Sequence, residues 1–80
     1  MAIRLLLIED NQIDQMAFKR FVQREGLEYT YRVAGSVAEA REYIRTEAFD
    51  VIVLDYLLGD GTAFDLFGHA KGTPIVVVTG

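Results

Sequence analysis

The chain lacks several residue types on which common functional sites depend. None of its 80 residues is cysteine, which excludes a disulfide framework, a thiolate metal site and a cysteine nucleophile. Its single histidine, His69, excludes a zinc site built from several imidazoles. No apolar run approaches the roughly 20 residues of a membrane span, and the apolar stretch after Arg4 is too short for a signal peptide. We therefore expect a cytoplasmic protein without membrane contact.

Basic charge is also scarce. Lys and Arg number 8 against 12 Asp and Glu, which gives a formal net charge of −4. A nucleic-acid interface needs a basic face, so we expect no direct contact with nucleic acid. A Gly-rich phosphate loop is missing after the first apolar segment, which argues against a nucleotide site. The chain length allows one domain at most, and the 51% of hydrophobic residues indicates a globular fold.

Short apolar segments alternate with helical patterns along the chain. Strands are predicted at residues 3–8, 28–34, 51–54 and 74–79. Helices are predicted between them, one over residues 12–25, one beginning at a capping box at Ser36 and one running from Thr62 to Gly72. The order is βαβαβαβ, and strands that are apolar on both faces indicate a parallel sheet covered on both sides.

The spacing of apolar residues predicts which face each helix buries. The first helix is expected to bury Ile13, Met16, Ala17, Phe21 and Val22. The second is expected to bury Val37, Ala40, Tyr43 and Ile44. The third has the same kind of face at Ala63, Leu66, Phe67 and Ala70.

Acidic or hydroxyl residues stand at the carboxyl ends of three predicted strands. Glu9 and Asp10 follow the first strand, Asp55 ends the third and Thr79 ends the fourth. Open α/β sheets bind their ligands at this edge. If the first and third strands are neighbours, their carboxylates meet, and two carboxylates about 4 Å apart repel by about 4 kcal/mol at an effective dielectric constant of about 20. Such a cluster needs raised pKa values or a cation.

Magnesium chemistry would suit this edge of the sheet. Mg²⁺ prefers hard oxygen ligands and keeps open positions for water. A carboxylate beside Mg²⁺ can attack phosphorus and form an aspartyl phosphate. Each residue alone has a simpler interpretation: Glu9 and Asp10 as a solvated loop, Asp55 as a cap and Thr79 as an ordinary strand residue. Their occurrence together at one edge favours the functional interpretation.

Three segments form a joint pattern: LLLIEDN at 5–11, VIVLDYLLGDG at 51–61 and PIVVVTG at 74–80. With these segments the chain resembles the receiver domain of two-component response regulators. The resemblance implies a flavodoxin-like, doubly wound parallel sheet with the strand order 2-1-3-4. It also implies that residues 1–80 form a partial receiver domain, which lacks the family's last helix, strand and helix.

The resemblance further implies a role in a phosphorelay. Asp55 would accept a phosphoryl group from a histidine kinase, and Thr79 would be the switch hydroxyl that turns toward it. Glu9, Asp10 and Asp55 would hold Mg²⁺ together with the backbone carbonyl of Leu57. Such a module would be a phosphoacceptor rather than an enzyme.

The chain departs from the family pattern in two ways. Gly59 stands where the family usually has Pro, which should loosen that loop slightly. The family's lysine that contacts the phosphoryl group has no match, since Lys19 and Lys71 lie elsewhere, so we expect impaired activity. The fourth strand should have an uncovered edge, which predicts a homo-oligomer through that strand or by exchange of elements between copies.

Two alternatives stay open. The first is a non-catalytic interaction or oligomerisation module with a receiver-like fold, which the missing lysine favours and the acidic residues oppose. The second is a metal-dependent phosphatase or phosphotransferase of another family with an aspartyl nucleophile. Such enzymes generally need a second acid soon after the nucleophile, and here Asp60 follows five residues after Asp55 in a glycine turn.

Overall fold

A four-stranded parallel sheet organises the chain. The computed structural model describes residues 3–26, 28–55, 57–58, 61–62 and 72–78. Along the chain the elements are β1 (Ile3–Ile8), α1 (Gln12–Arg24), β2 (Tyr29–Ala34), α2 (Val37–Thr46), β3 (Val51–Asp55), β4 (Leu57–Leu58), β5 (Gly61–Thr62) and β6 (Ile75–Val78). No described helix is long and apolar enough to cross a membrane.

The sheet has the strand order β2-β1-β3-β6, and each neighbouring pair is parallel. Since β6 is the fourth strand of this sheet along the chain, the predicted fold class and the order 2-1-3-4 are confirmed. The two central strands, β1 and β3, each contain a continuous run of four apolar residues, as does the edge strand β6. Central parallel strands are covered on both faces, which is why their sequences do not alternate between apolar and polar residues.

The main core lies between the sheet and α2. Leu6 and Ile8 of β1 and Ile52 and Leu54 of β3 are almost fully buried there. Residues two apart on a strand share a face, so these four side chains form one layer. Against that layer α2 packs the inward residues that its spacing predicted: Val37, Ala40, Tyr43 and Ile44. The predicted face of the second helix is therefore confirmed.

The prediction for the first helix was wrong for most of its inward face. Val22 alone of the five predicted residues is buried, whereas Ile13 is 77% exposed and Met16 and Phe21 are about half exposed. The helix faces the sheet instead with the row that contains Phe18, whose ring meets the ring of Tyr31 edge-on, with centroids 5.7 Å apart. Apolar residues lie on two neighbouring stripes of α1, and only contact with the sheet selects between them.

The helix ends follow their sequence signals. The Ser36 hydroxyl accepts a hydrogen bond from the backbone N–H of Glu39 at 3.1 Å, which caps α2 as the capping box predicted. Gly26 follows the first helix with a positive φ of 64°, a conformation that glycine adopts without steric cost.

The region after β3 holds a feature that the sequence did not predict. The two-residue strands β4 and β5 pair antiparallel, with Leu57 opposite Thr62. The third helix had been predicted to begin at Thr62. The body of that helix, residues 63–71, lies outside the described residues.

A cluster of charged residues near the amino edge of the sheet connects the end of α2 to two strands. Glu47, just after α2, accepts a hydrogen bond from Arg4 at 2.8 Å and forms an ion pair with Arg32 at 2.9 Å. Each guanidinium also lies over an aromatic ring, Arg4 over Phe49 at 5.7 Å and Arg32 over Tyr43 at 5.6 Å. Glu47 therefore ties the end of α2 to both β1 and β2.

We expect Glu47→Gln to lower the free energy of unfolding by about 1 kcal/mol, because it removes two partly exposed ion pairs that each contribute a fraction of that value. Urea unfolding followed by circular dichroism measures the loss, which should shrink at high salt because salt screens exposed charges. The matched control is Glu42→Gln, whose partner Arg45 lies on the same helix in an exposed pair. Equal decreases in the free energy of unfolding for the two variants would contradict the stabilising link that we assign to Glu47.

Candidate functional site

The sheet register brings the predicted acidic residues to one edge. Ile8 of β1 lies opposite Leu54 of β3, and each of these residues is followed directly by an acid, Glu9 on one strand and Asp55 on the other. Neighbouring strands lie about 4.8 Å apart, so the backbones of Glu9 and Asp55 occupy adjacent positions. The condition that the first and third strands be neighbours is thus fulfilled.

Glu9 is the one buried charged residue among the described residues, with 7% of its surface exposed. Its backbone N–H donates to the carbonyl of Ala34 at 2.9 Å, which fixes it beside the end of β2. Removing a carboxylate from water is costly unless hydrogen bonds or a cation compensate the charge. The burial of Glu9 therefore contradicts the simpler interpretation of this residue as part of a solvated loop.

Asp10 is exposed, and it leads into the residue that caps α1. The side-chain oxygen of Asn11 accepts hydrogen bonds from the backbone N–H groups of Ile13 at 2.8 Å and Asp14 at 3.2 Å. Asn11 was not singled out from the sequence. An Asn directly before a helical pattern is the signal that would have revealed it.

Gln15 is a second residue that the sequence did not reveal. Its side-chain amide donates to the backbone carbonyl of Glu9 at 2.5 Å. The contact joins the first turn of α1 to the end of β1 across six residues of chain. No short sequence pattern signals such a contact, because it depends on the path of the loop between the two elements.

The remaining predicted residues are only partly within the described structure. Asp55 is described by its backbone at the end of β3, where it pairs in register with Val78 of β6. Leu57 lies in β4, two residues later. Thr79 lies outside the described residues. The roles given to the Asp55 carboxylate, the Leu57 carbonyl and the Thr79 hydroxyl stay predictions.

The carboxylate oxygens at this edge of the sheet are suitable ligands for a hard divalent cation. Within the described part of the chain, no three acidic or histidine side chains are grouped closely enough to hold a metal ion. Two carboxylates, of Glu9 and Asp10, nevertheless lie in sequence at the end of β1, beside the backbone position of Asp55. Oxygen donors of this kind, part buried and part open to water, fit Mg²⁺.

Solved structures similar to this chain are receiver domains and response regulators. The non-phosphorylated receiver domain of HemR from Leptospira biflexa is 32% identical in sequence, superposes with a TM-score of 0.80 and is matched over 96% of this chain. The predicted resemblance to the receiver domains of response regulators is confirmed. The chain spans 64% of the length of the HemR receiver domain.

Two further structures are similar to this chain. A response regulator from Burkholderia pseudomallei, determined with a phosphorylated aspartic acid, a calcium ion and citrate, is 28% identical with a TM-score of 0.81; the match covers 98% of this chain and 47% of that one. The receiver domain of the sensor histidine kinase PA1611 from Pseudomonas aeruginosa, with a magnesium ion in its active-site cleft, is 18% identical with a TM-score of 0.83; the match covers 96% of this chain and 66% of that one. At 18% identity the second likeness shows the fold alone. No family model and no curated protein matches the chain.

We expect Asn11→Ala to lower the free energy of unfolding by about 1 kcal/mol, because two N–H groups at the start of α1 lose their acceptor. Asn11→Ser retains a capping oxygen and should stay within a few tenths of a kcal/mol of the unmutated chain. Urea unfolding of the three proteins measures both effects. Loss of equal size in the Ala and Ser variants would show that capping is not what Asn11 contributes.

Proposed function

We propose that the chain is the phosphoacceptor module of a two-component phosphorelay and that Asp55 receives a phosphoryl group from a histidine kinase. The observation that carries the proposal is the pairing of β1 with β3, which sets Glu9 beside Asp55 at the ligand-binding edge of the sheet. The burial of Glu9 adds support, since a carboxylate is held there against its preference for water. The phosphorylated aspartic acid in the Burkholderia pseudomallei structure is consistent with it.

The proposed reaction is a transfer to a carboxylate. One oxygen of Asp55 attacks the phosphorus of a phosphohistidine, so that a P–O bond forms as the P–N bond breaks. The electron pair of the broken bond stays on the imidazole nitrogen, which takes up a proton. Asp55 is left as an acyl phosphate. The chain acts once per phosphoryl group received and is in this sense an acceptor rather than an enzyme.

Repulsion between the carboxylates and the incoming phosphoryl group is the reason that the proposal includes a cation. Glu9 and Asp10 add negative charge next to the place where an anionic phosphoryl group must arrive, and like charges at such distances repel strongly. Mg²⁺ bound by Glu9, Asp10, Asp55 and the carbonyl of Leu57 would neutralise charge on the transferring group. Thr79 is proposed as the hydroxyl that turns toward the phosphoryl group afterwards.

The test uses intact mass after incubation with Mg²⁺ and acetyl phosphate. We expect the unmutated chain to gain the mass of one phosphoryl group, and Asp55→Asn to gain none, because an amide cannot attack phosphorus in its place. Removal of Mg²⁺ by a chelator should abolish the gain. Asp14→Asn, which changes another acid close in sequence to Asp10, should react like the unmutated chain. An adduct on the Asp55 variant would contradict the assignment, and no adduct on folded protein would favour the non-catalytic alternative.

We also propose that the chain associates with copies of itself through β6. Among the described residues β6 pairs with β3 alone, and Val76 and Val77 are 51% and 40% exposed. Successive residues of a strand point to opposite faces, so both faces of β6 are partly uncovered. A strand edge with exposed apolar side chains is a template for pairing with another chain.

Light scattering on a sizing column tests this association. We expect the unmutated chain to form oligomers whose share grows with concentration, and Val76→Lys to shift it toward monomer, because a charge on an edge strand opposes pairing. Thr30→Lys, an exposed position on β2 at the opposite side of the sheet, serves as the matched control. A chain that is monomeric at every concentration would contradict the proposal. Oligomers that persist in the Val76 variant would favour exchange of elements between copies.

A further inference from the structure

Three residues, Glu9 to Asn11, connect β1 to α1 and carry both carboxylates of the first strand end. The loop backbone forms hydrogen bonds on each side of Asp10. On one side the N–H of Glu9 donates to the carbonyl of Ala34 at 2.9 Å. On the other side the carbonyl of Asn11 accepts from the backbone N–H of Gln15 at 3.0 Å.

Gln15 forms hydrogen bonds to the residues on both sides of Asp10, namely Glu9 and Asn11. Besides its backbone bond to Asn11, its side chain reaches back to the carbonyl of Glu9 at 2.5 Å. A carbonyl oxygen can only accept a hydrogen bond, so the amide nitrogen of Gln15 is the atom that faces it. Since β1 ends at Ile8, the Glu9 carbonyl lies beyond the strand, and Gln15 supplies a donor for it. Asp10 is the residue held between the two contacts.

Gln15 is half-buried and shares the sheet-facing row of the helix with Phe18 and Val22. A Cβ at Gly35, just after β2, would lie 3.9 Å from its amide nitrogen, so the amide lies close to the end of β2. An apolar residue at this position would provide no hydrogen-bond donor for the loop.

We propose that Gln15 is a positioning residue, which fixes the loop so that Glu9 and Asp10 present their carboxylates to a divalent cation. The inference rests on the proposed function, because the cation is part of it. Residues that orient metal ligands without touching the metal change metal affinity by about tenfold or more when they are replaced. We expect Gln15→Met, which keeps the length of the side chain and removes its donor, to weaken Mg²⁺ binding by about tenfold.

The first measurement is the affinity for Mg²⁺, obtained by isothermal titration calorimetry with Mg²⁺ alone. Gln23→Met is the matched control, because it makes the same change at an exposed position two turns along the same helix. Urea unfolding of each variant separates positioning from stability. A purely structural role for Gln15 would lower the free energy of unfolding and leave the Mg²⁺ affinity unchanged, which would overturn the proposal.

The second measurement uses the metal-free protein. In nuclear magnetic resonance relaxation, the order parameter of the Asp10 amide should fall from the rigid range near about 0.85 toward about 0.6 in Gln15→Met. The value in Gln23→Met should stay unchanged. Gln15→Ala provides a second variant that lacks the donor, and alanine is the most favourable residue in a helix. An Asp10 amide as rigid in both Gln15 variants as in the unmutated chain would overturn the proposal.

The two measurements distinguish this proposal from the proposed function. If the unmutated chain binds Mg²⁺ and Gln15→Met binds it equally well, the positioning role is wrong while the phosphoacceptor function stands. If the folded, unmutated chain neither binds Mg²⁺ nor accepts a phosphoryl group, the proposed function fails. The order parameter of Asp10 then decides by itself whether Gln15 holds the loop.

Discussion

The parallel pairing of β1 with β3 is the constraint on which the rest of the structure depends. Ile8 and Leu54, opposite each other in this pair, are fully buried in the core, and each directly precedes an acid of the candidate site. A slip of one residue would turn every side chain of a strand to the opposite face. The core and the site are therefore set by the same register, and neither can change without the other.

The sequence predicted those features that arise from local chemistry. Continuous apolar runs predicted β1 and β3, Ser36 predicted the start of α2, and acids at the ends of buried strands predicted the neighbouring backbone positions of Glu9 and Asp55. The inward face of α1 could not be predicted, because its apolar residues form two stripes and their spacing alone does not select the stripe that contacts the sheet. Gln15 was missed for a related reason, since its partner is a backbone carbonyl whose position depends on the path of the loop.

Charge is arranged differently at the two edges of the sheet. At the amino edge Glu47 is matched by Arg4 and Arg32, so that opposite charges compensate within the molecule. At the carboxyl edge, Glu9 and Asp10 follow β1, and Asp55 ends the neighbouring strand β3. A carboxylate that is buried there, as Glu9 is, needs hydrogen bonds or an opposite charge to compensate its own charge.

The bond from Gln15 to Glu9 links the helix and the acidic loop mechanically. Because Gln15 belongs to α1, its hydrogen bond connects the orientation of that helix to the position of the Glu9 carbonyl. Linkage between two sites is reciprocal in free energy. If Gln15 positions the loop as proposed, a ligand that reorients α1 would change the affinity of the loop for a cation, and the cation would change the affinity for that ligand by the same factor.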